Sequence, residues 1–152
     1  MMAQRSLRHI GLLAAMAACG SAAAETATRH WAAPSVQKAA GAEGVIRFDL
    51  SALPRSAKVY RADLVIRRTA EITGRDDDAL VDIEIRPLFE QVPAGGDPRA
   101  PAAPLALRAP WYDRLDATEA VRAWVSGRAN GGFLVRTCPK WNAAATCLDV
   151  AW

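Results

Sequence analysis

From Val45 onward, apolar and polar residues alternate with a period of two. In residues 45–50, Ile46, Phe48 and Leu50 share one face while Arg47 and Asp49 share the other, the pattern of a strand with one side buried. Residues 59–68 repeat it, with Ala62, Leu64 and Ile66 inward and Asp63 and Arg67 outward, and residues 80–89 repeat it again through Val81, Ile83, Ile85 and Phe89. Pro54 and the polar run 73–78 separate these strands, and Pro87 predicts that the third ends or bulges there. Residues 91–110 carry Pro93, Pro98, Pro101, Pro104 and Pro110 together with Gly95 and Gly96. That composition predicts a surface crossover loop.

One segment changes period. Val121, Trp124 and Val125 fall at i, i+3 and i+4, the apolar stripe of a short helix. Asp116 can accept from the free amides of its first turn, Glu119 stands where it would reach back, and Gly127 supplies a stop. Two further runs, 132–138 with Phe133 and Val135 set against Arg136, and 147–152, predict a closing hairpin. The expected fold is therefore all-β: an antiparallel, jelly-roll-like β-sandwich over residues 45–152, with one short helix capping the sandwich. Residues 25–44 read as linker with a short edge strand near 31–37.

The order of these signals resembles the DNRLRE domain, a jelly-roll-like module of long secreted bacterial proteins. Ile46-Arg47-Phe48-Asp49-Leu50-Ser51-Ala52-Leu53-Pro54 is similar to that family's opening strand and Leu-Pro turn, and residues 58–66 to its second strand. Trp111-Tyr112-Asp113, Asp116-Ala117-Thr118, Val121, Trp124 and Gly131-Gly132-Phe133-Leu134-Val135 are similar to its helix-then-strand unit. The region before Val45 is shorter than the family's first strands, and the chain stops at Trp152, which implies a fragment of a larger surface protein. Modules related to the family include alginate-binding ones, so the resemblance implies attachment, spacing or contact with polysaccharide or with neighbouring domains of the same protein.

The first 24 residues have the pattern of a signal peptide. Arg5 and Arg8 form a basic start, residues 10–19 an apolar stretch, and Ala22-Ala23-Ala24 a small-residue cleavage site. The apolar stretch is far shorter than the roughly 20 residues that span a bilayer, so no transmembrane span is expected. Met16-Ala17-Ala18-Cys19-Gly20 also resembles a lipoprotein signal, in which Cys19 would carry a lipid anchor; Met16 departs from that pattern, which favours cleavage after Ala24. The predicted localisation is secreted, periplasmic or cell-surface.

Removal of that segment changes both the charge and the cysteine count. The formal charge is +3 from 19 basic and 16 acidic residues, but two of the cations are Arg5 and Arg8. What remains is nearly balanced and gives no electrostatic footprint for nucleic acid. Without Cys19, Cys138 and Cys147 are an even pair in an oxidising compartment, which predicts a disulfide stapling the final hairpin, worth about 2 to 3 kcal/mol.

Catalytic chemistry is thinly supplied. After processing, His30 is the remaining histidine, and it lies in the expected linker, which argues against a Ser/His/Asp or His-based metal site. Glu84, Asp113, Asp116 and Glu119 could supply paired carboxylates, but an outward strand position and helix-cap roles account for most of them. Asp76, Asp77 and Asp78 offer oxygens for Ca²⁺, yet lack the alternating spacing of a Ca²⁺ loop, and a solvated turn is the simpler reading. No other cofactor is implied.

Exposed aromatics remain as ligand platforms. Of the candidates Trp111, Trp141 and Trp152, Trp141, at the tip of the cysteine-bounded loop with Lys140 and Asn142 beside it, is the best placed for stacking on a sugar ring. The sequence thus predicts a non-catalytic extracellular module for attachment or carbohydrate binding. The alternatives are the accessory fragment of a carbohydrate-active enzyme whose catalytic domain is missing, and a spacer without a ligand.

Overall fold

The computed structural model describes residues 26–32, 34–68, 83–98, 102–109, 113–138 and 140–152. The expected signal peptide with Cys19, the Asp76-Asp77-Asp78 run and Trp111 lie outside the described residues.

Among the described residues, eight strands form two four-stranded antiparallel sheets. The first sheet has the order β1 (Thr28–Trp31), β8 (Cys147–Ala151), β4 (Arg61–Val65), β6 (Arg114–Asp116). The second has the order β2 (Ser35–Gln37), β3 (Gly44–Arg47), β7 (Gly132–Thr137), β5 (Glu84–Leu88). From β4 onward every strand lies in the opposite sheet from its predecessor, and β1 pairs with β8. This is the interleaving of a jelly-roll-like sandwich. The segment before Val45, read as linker with one short edge strand, supplies an edge strand to each sheet.

The expected inward faces meet between the sheets. Ile46, Phe48, Ala62, Leu64, Ile66 and Ile85 are buried in one cluster with Leu115, Phe133, Val135, Leu148 and Val150, and Ile83 and Phe89 pack against it half-buried. Phe133 lies at its centre, edge-on to Phe48 at 6.4 Å and to Trp124 at 5.0 Å. Each such large side chain contributes about 1.5 to 3 kcal/mol by leaving water. The irregularity in β5 falls between Glu84 and Ile85 rather than at Pro87; because β5 is an edge strand, the proline's missing amide costs the ladder nothing.

The helix α1 (Thr118–Val125) closes the core with Ala120, Val121 and Trp124, and the Trp124 indole N–H donates to the Leu88 carbonyl at 3.1 Å. Its start differs from the predicted capping box. The cap position is Ala117, without a side-chain cap, and Glu119 binds Arg122 at 2.6 Å instead of reaching back. Asp116 accepts the Thr118 amide at 3.0 Å, but from β6, a strand that three polar-flanked residues gave no period to announce. Gly127, at φ +109°, ends the helix as expected.

The second sheet is covered on both sides. Val45, Leu88 and Leu134 on its outer face join Val92 in a second small core, roofed by a turn that Ala40 and Gly95 tie across through bonds to Gly96 and Lys38 carbonyls. Strand β7 therefore runs apolar at Phe133-Leu134-Val135, as a strand buried on both faces must. Its entry is tight: a Cβ on Gly131 would strike the Glu90 and Leu88 backbone, and one on Gly132, at φ +88°, the Ile46 carbonyl.

The predicted hairpin and disulfide are both overturned. Strands β7 and β8 belong to different sheets, so the chain between them is a crossover. Cys138 and Cys147 are free, buried thiols. Cys138 faces the core, whereas Leu148 and Val150 take the inward positions of β8 and leave Cys147 on the outer face opposite Val65. A staple between them would have to pass through a sheet.

Candidate functional site

A cleft of about 1140 Å³ opens where β3 leaves the second sheet, between the 48–55 turn and the end of α1. Phe48 and Trp124, both nearly buried, form its floor. Arg47, Arg55 and Arg128 line it against one carboxylate, Asp49, which hydrogen bonds from Ser51 hold below its ordinary pKa. The Arg47 Nη2 donates to the Gly131 carbonyl at 3.2 Å, while its Nε is buried without a partner among the described residues. The Arg128 guanidinium stacks 3.7 Å from the Phe89 ring centre. The last carbonyls of α1 are taken by Ser126, Gly127 and Arg128 amides and the Ser126 hydroxyl, so the helix end presents few bare acceptors to the cleft.

The outer face of the first sheet is charged. One rung across it runs His30, Asp149, Asp63, Asp116 by strand register. Three carboxylates side by side repel one another, and arginines resolve the conflict: Arg61 and Arg108 approach Asp63 at 2.7 and 2.6 Å, Arg108 also holds Asp116 at 2.9 Å, and Arg114 bridges Asp63 and Asp149 at 3.5 and 3.3 Å. Burial alone would raise the Asp116 carboxyl, but the Thr118 hydrogen bonds, Arg108 and Arg61 outweigh it and hold it below its ordinary value.

At the β1 end of this rung, His30 Nδ1 and Asp149 Oδ1 are 2.7 Å apart. Cys147, two residues before Asp149 and on the same face, completes a group whose ligand atoms all lie within 4.8 Å of one another. From its sequence His30 reads as linker, because four residues of edge strand carry too little period to show. Burial raises the Cys147 thiol, with Asp149 adding to the effect, and burial pushes the Cys138 thiol up to about 11.

The residues proposed for sugar stacking have other partners. Trp141 is half-buried against the core, and its indole N–H donates to the Thr146 hydroxyl at 2.9 Å. Asn142 caps the 3₁₀ turn Ala143–Ala145 with its side chain, and its amide donates to the Arg67 carbonyl at 2.7 Å. Lys140 sits exposed at φ +57° in the same crossover. Of the carboxylates weighed for catalysis, Glu84 meets Arg86 at 2.6 Å and Asp113 meets Arg67 at 3.7 Å. With Asp116 and Glu119 each on an arginine as well, all four are engaged in ion pairs.

The fold and these surfaces define an all-β, two-sheet antiparallel sandwich with one capping helix. No family model, curated protein or solved structure matches the chain. Among the described residues, no helix is long and apolar enough to cross a membrane.

Proposed function

We propose that the chain is a non-catalytic module of an exported protein, and that its arginine-lined cleft binds an acidic polysaccharide. The observation that carries this reading is the convergence of Arg47, Arg55 and Arg128 on one open cleft with an aromatic floor. Guanidinium groups pair with carboxylates in forked geometry, and Asp49 is the one carboxylate that lines the cleft beside the three arginines. An extended chain of uronate sugars offers carboxylates at regular spacing and hydroxyls for Ser51 and Asn130. Export rests on the N-terminal pattern of Arg5, Arg8 and Ala22-Ala23-Ala24.

Calorimetric titration with an oligouronate and with a neutral oligosaccharide of equal length tests the proposal. Binding of the uronate alone, weakened by salt and reduced at least about tenfold in both Arg47→Ala and Arg128→Ala, is the expected result, with Trp141→Ala unaffected. Silence towards both sugars would favour a spacer, and uronate binding that survives both arginine changes would exclude the cleft.

A further inference from the structure

We propose that His30, Cys147 and Asp149 form a binding site for a borderline divalent transition metal, with Zn²⁺ the best match. The register of the first sheet makes the grouping. His30 on β1 stands directly across from Asp149 on β8, and the two-residue period of β8 puts Cys147 on the face that Asp149 occupies. Their donor atoms lie within 4.8 Å of one another, and a tetrahedral ion needs its ligands each about 2.0 to 2.3 Å away. Binding therefore draws the three side chains inward onto the ion.

The donor types choose the ion. A thiolate, an imidazole and a carboxylate suit Zn²⁺ and its neighbours, while Ca²⁺ and Mg²⁺ take oxygen ligands alone. The second shell is in place: Arg114 holds the Asp149 Oδ2 at 3.3 Å, which leaves Oδ1, now facing His30 Nδ1 at 2.7 Å, to turn onto the ion. The cations near the site, Arg67 and Arg114, are already balanced by Asp113 and by Asp63 with Asp149. Since the His30 side chain is 58% exposed, a fourth coordination position faces water. The bound ion would fasten the edge strand β1, whose sheet partner is β8, and it shares no residue with the arginine-lined cleft.

Titration of the reduced full chain with Co²⁺, then Zn²⁺, reads the site directly. A saturable one-to-one thiolate-to-cobalt charge-transfer band, displaced by Zn²⁺, and a higher melting temperature with either ion are expected. Cys147→Ser should abolish the band, Cys138→Ser should keep it, and His30→Ala should weaken binding at least about tenfold. Because Cys147 is buried, the exposed His30→Ala serves as the variant that leaves packing intact. A wild-type chain without the band, a band surviving in Cys147→Ser, or unchanged affinity in His30→Ala would each overturn the proposal.

Discussion

Asp63 and Arg108, 45 residues apart in the chain, meet at 2.6 Å on the outer face of the first sheet. Asp63 is 3% exposed, and Arg108 comes from the proline-rich crossover, where its amide also donates to the Arg114 carbonyl at 2.8 Å. The pair ties an otherwise irregular loop to β4, and so fixes where β6 and then α1 begin.

Asp63→Ala should therefore cost about 3 kcal/mol, since it leaves Arg61, Arg108 and Arg114 crowded without their shared anion. Arg61→Ala should cost less than about 1 kcal/mol, because that side chain is half-exposed. Urea unfolding of the two variants measures the difference; equal losses would deny Asp63 its central place.

Gly131→Ala should destabilise by about 3 kcal/mol or more, because a methyl there meets the backbone of the neighbouring strand end rather than a side chain that can yield. Gly95→Ala provides the comparison. Its φ of +73° is strained for alanine but its surroundings are open, so the loss should stay near 1 kcal/mol.

Reductant should leave the melting temperature unchanged, as no Cys138–Cys147 bond exists to break. Peptide mapping after alkylation at neutral pH should find both cysteines nearly unlabelled in the folded chain and fully labelled in denaturant. Burial keeps the thiols protonated, Cys138 with a pKa of about 11. A recovered disulfide-linked peptide pair would refute this.

Acid should weaken the fold through Asp116, whose carboxyl titrates below its ordinary 3.8 in the folded chain. A depressed folded pKa means that its stabilisation is complete above the unfolded value and is lost as pH falls through the folded one. Asp116→Asn should then be less stable than wild type at neutral pH, with the gap narrowing on acidification. A gap independent of pH would assign the loss to packing instead.

Legibility from sequence followed the length and regularity of each pattern. Ile46, Phe48, Leu64, Ile66 and Ile85 were readable because several alternations in a row define a face, and Val121 with Trp124 because one helical turn repeats. Strands β1, β2 and β6 hold four, three and three residues, too few to show a period. The charged rung and the arginine cleft were illegible for a different reason. Arg47, Arg55 and Arg128 are ordinary surface arginines until two sheets and a helix end bring them together.

By itself the sequence determined the class of fold, since several alternating strands with one short helix leave the apolar sheet faces to bury one another. It also determined the helix and its glycine stop. Tertiary structure alone decided which strands share a sheet, and that choice depends on chain crossings that leave no local trace. Placing β7 and β8 in different sheets is what separated Cys138 from Cys147, and the same placement set Cys147 and Asp149 beside His30.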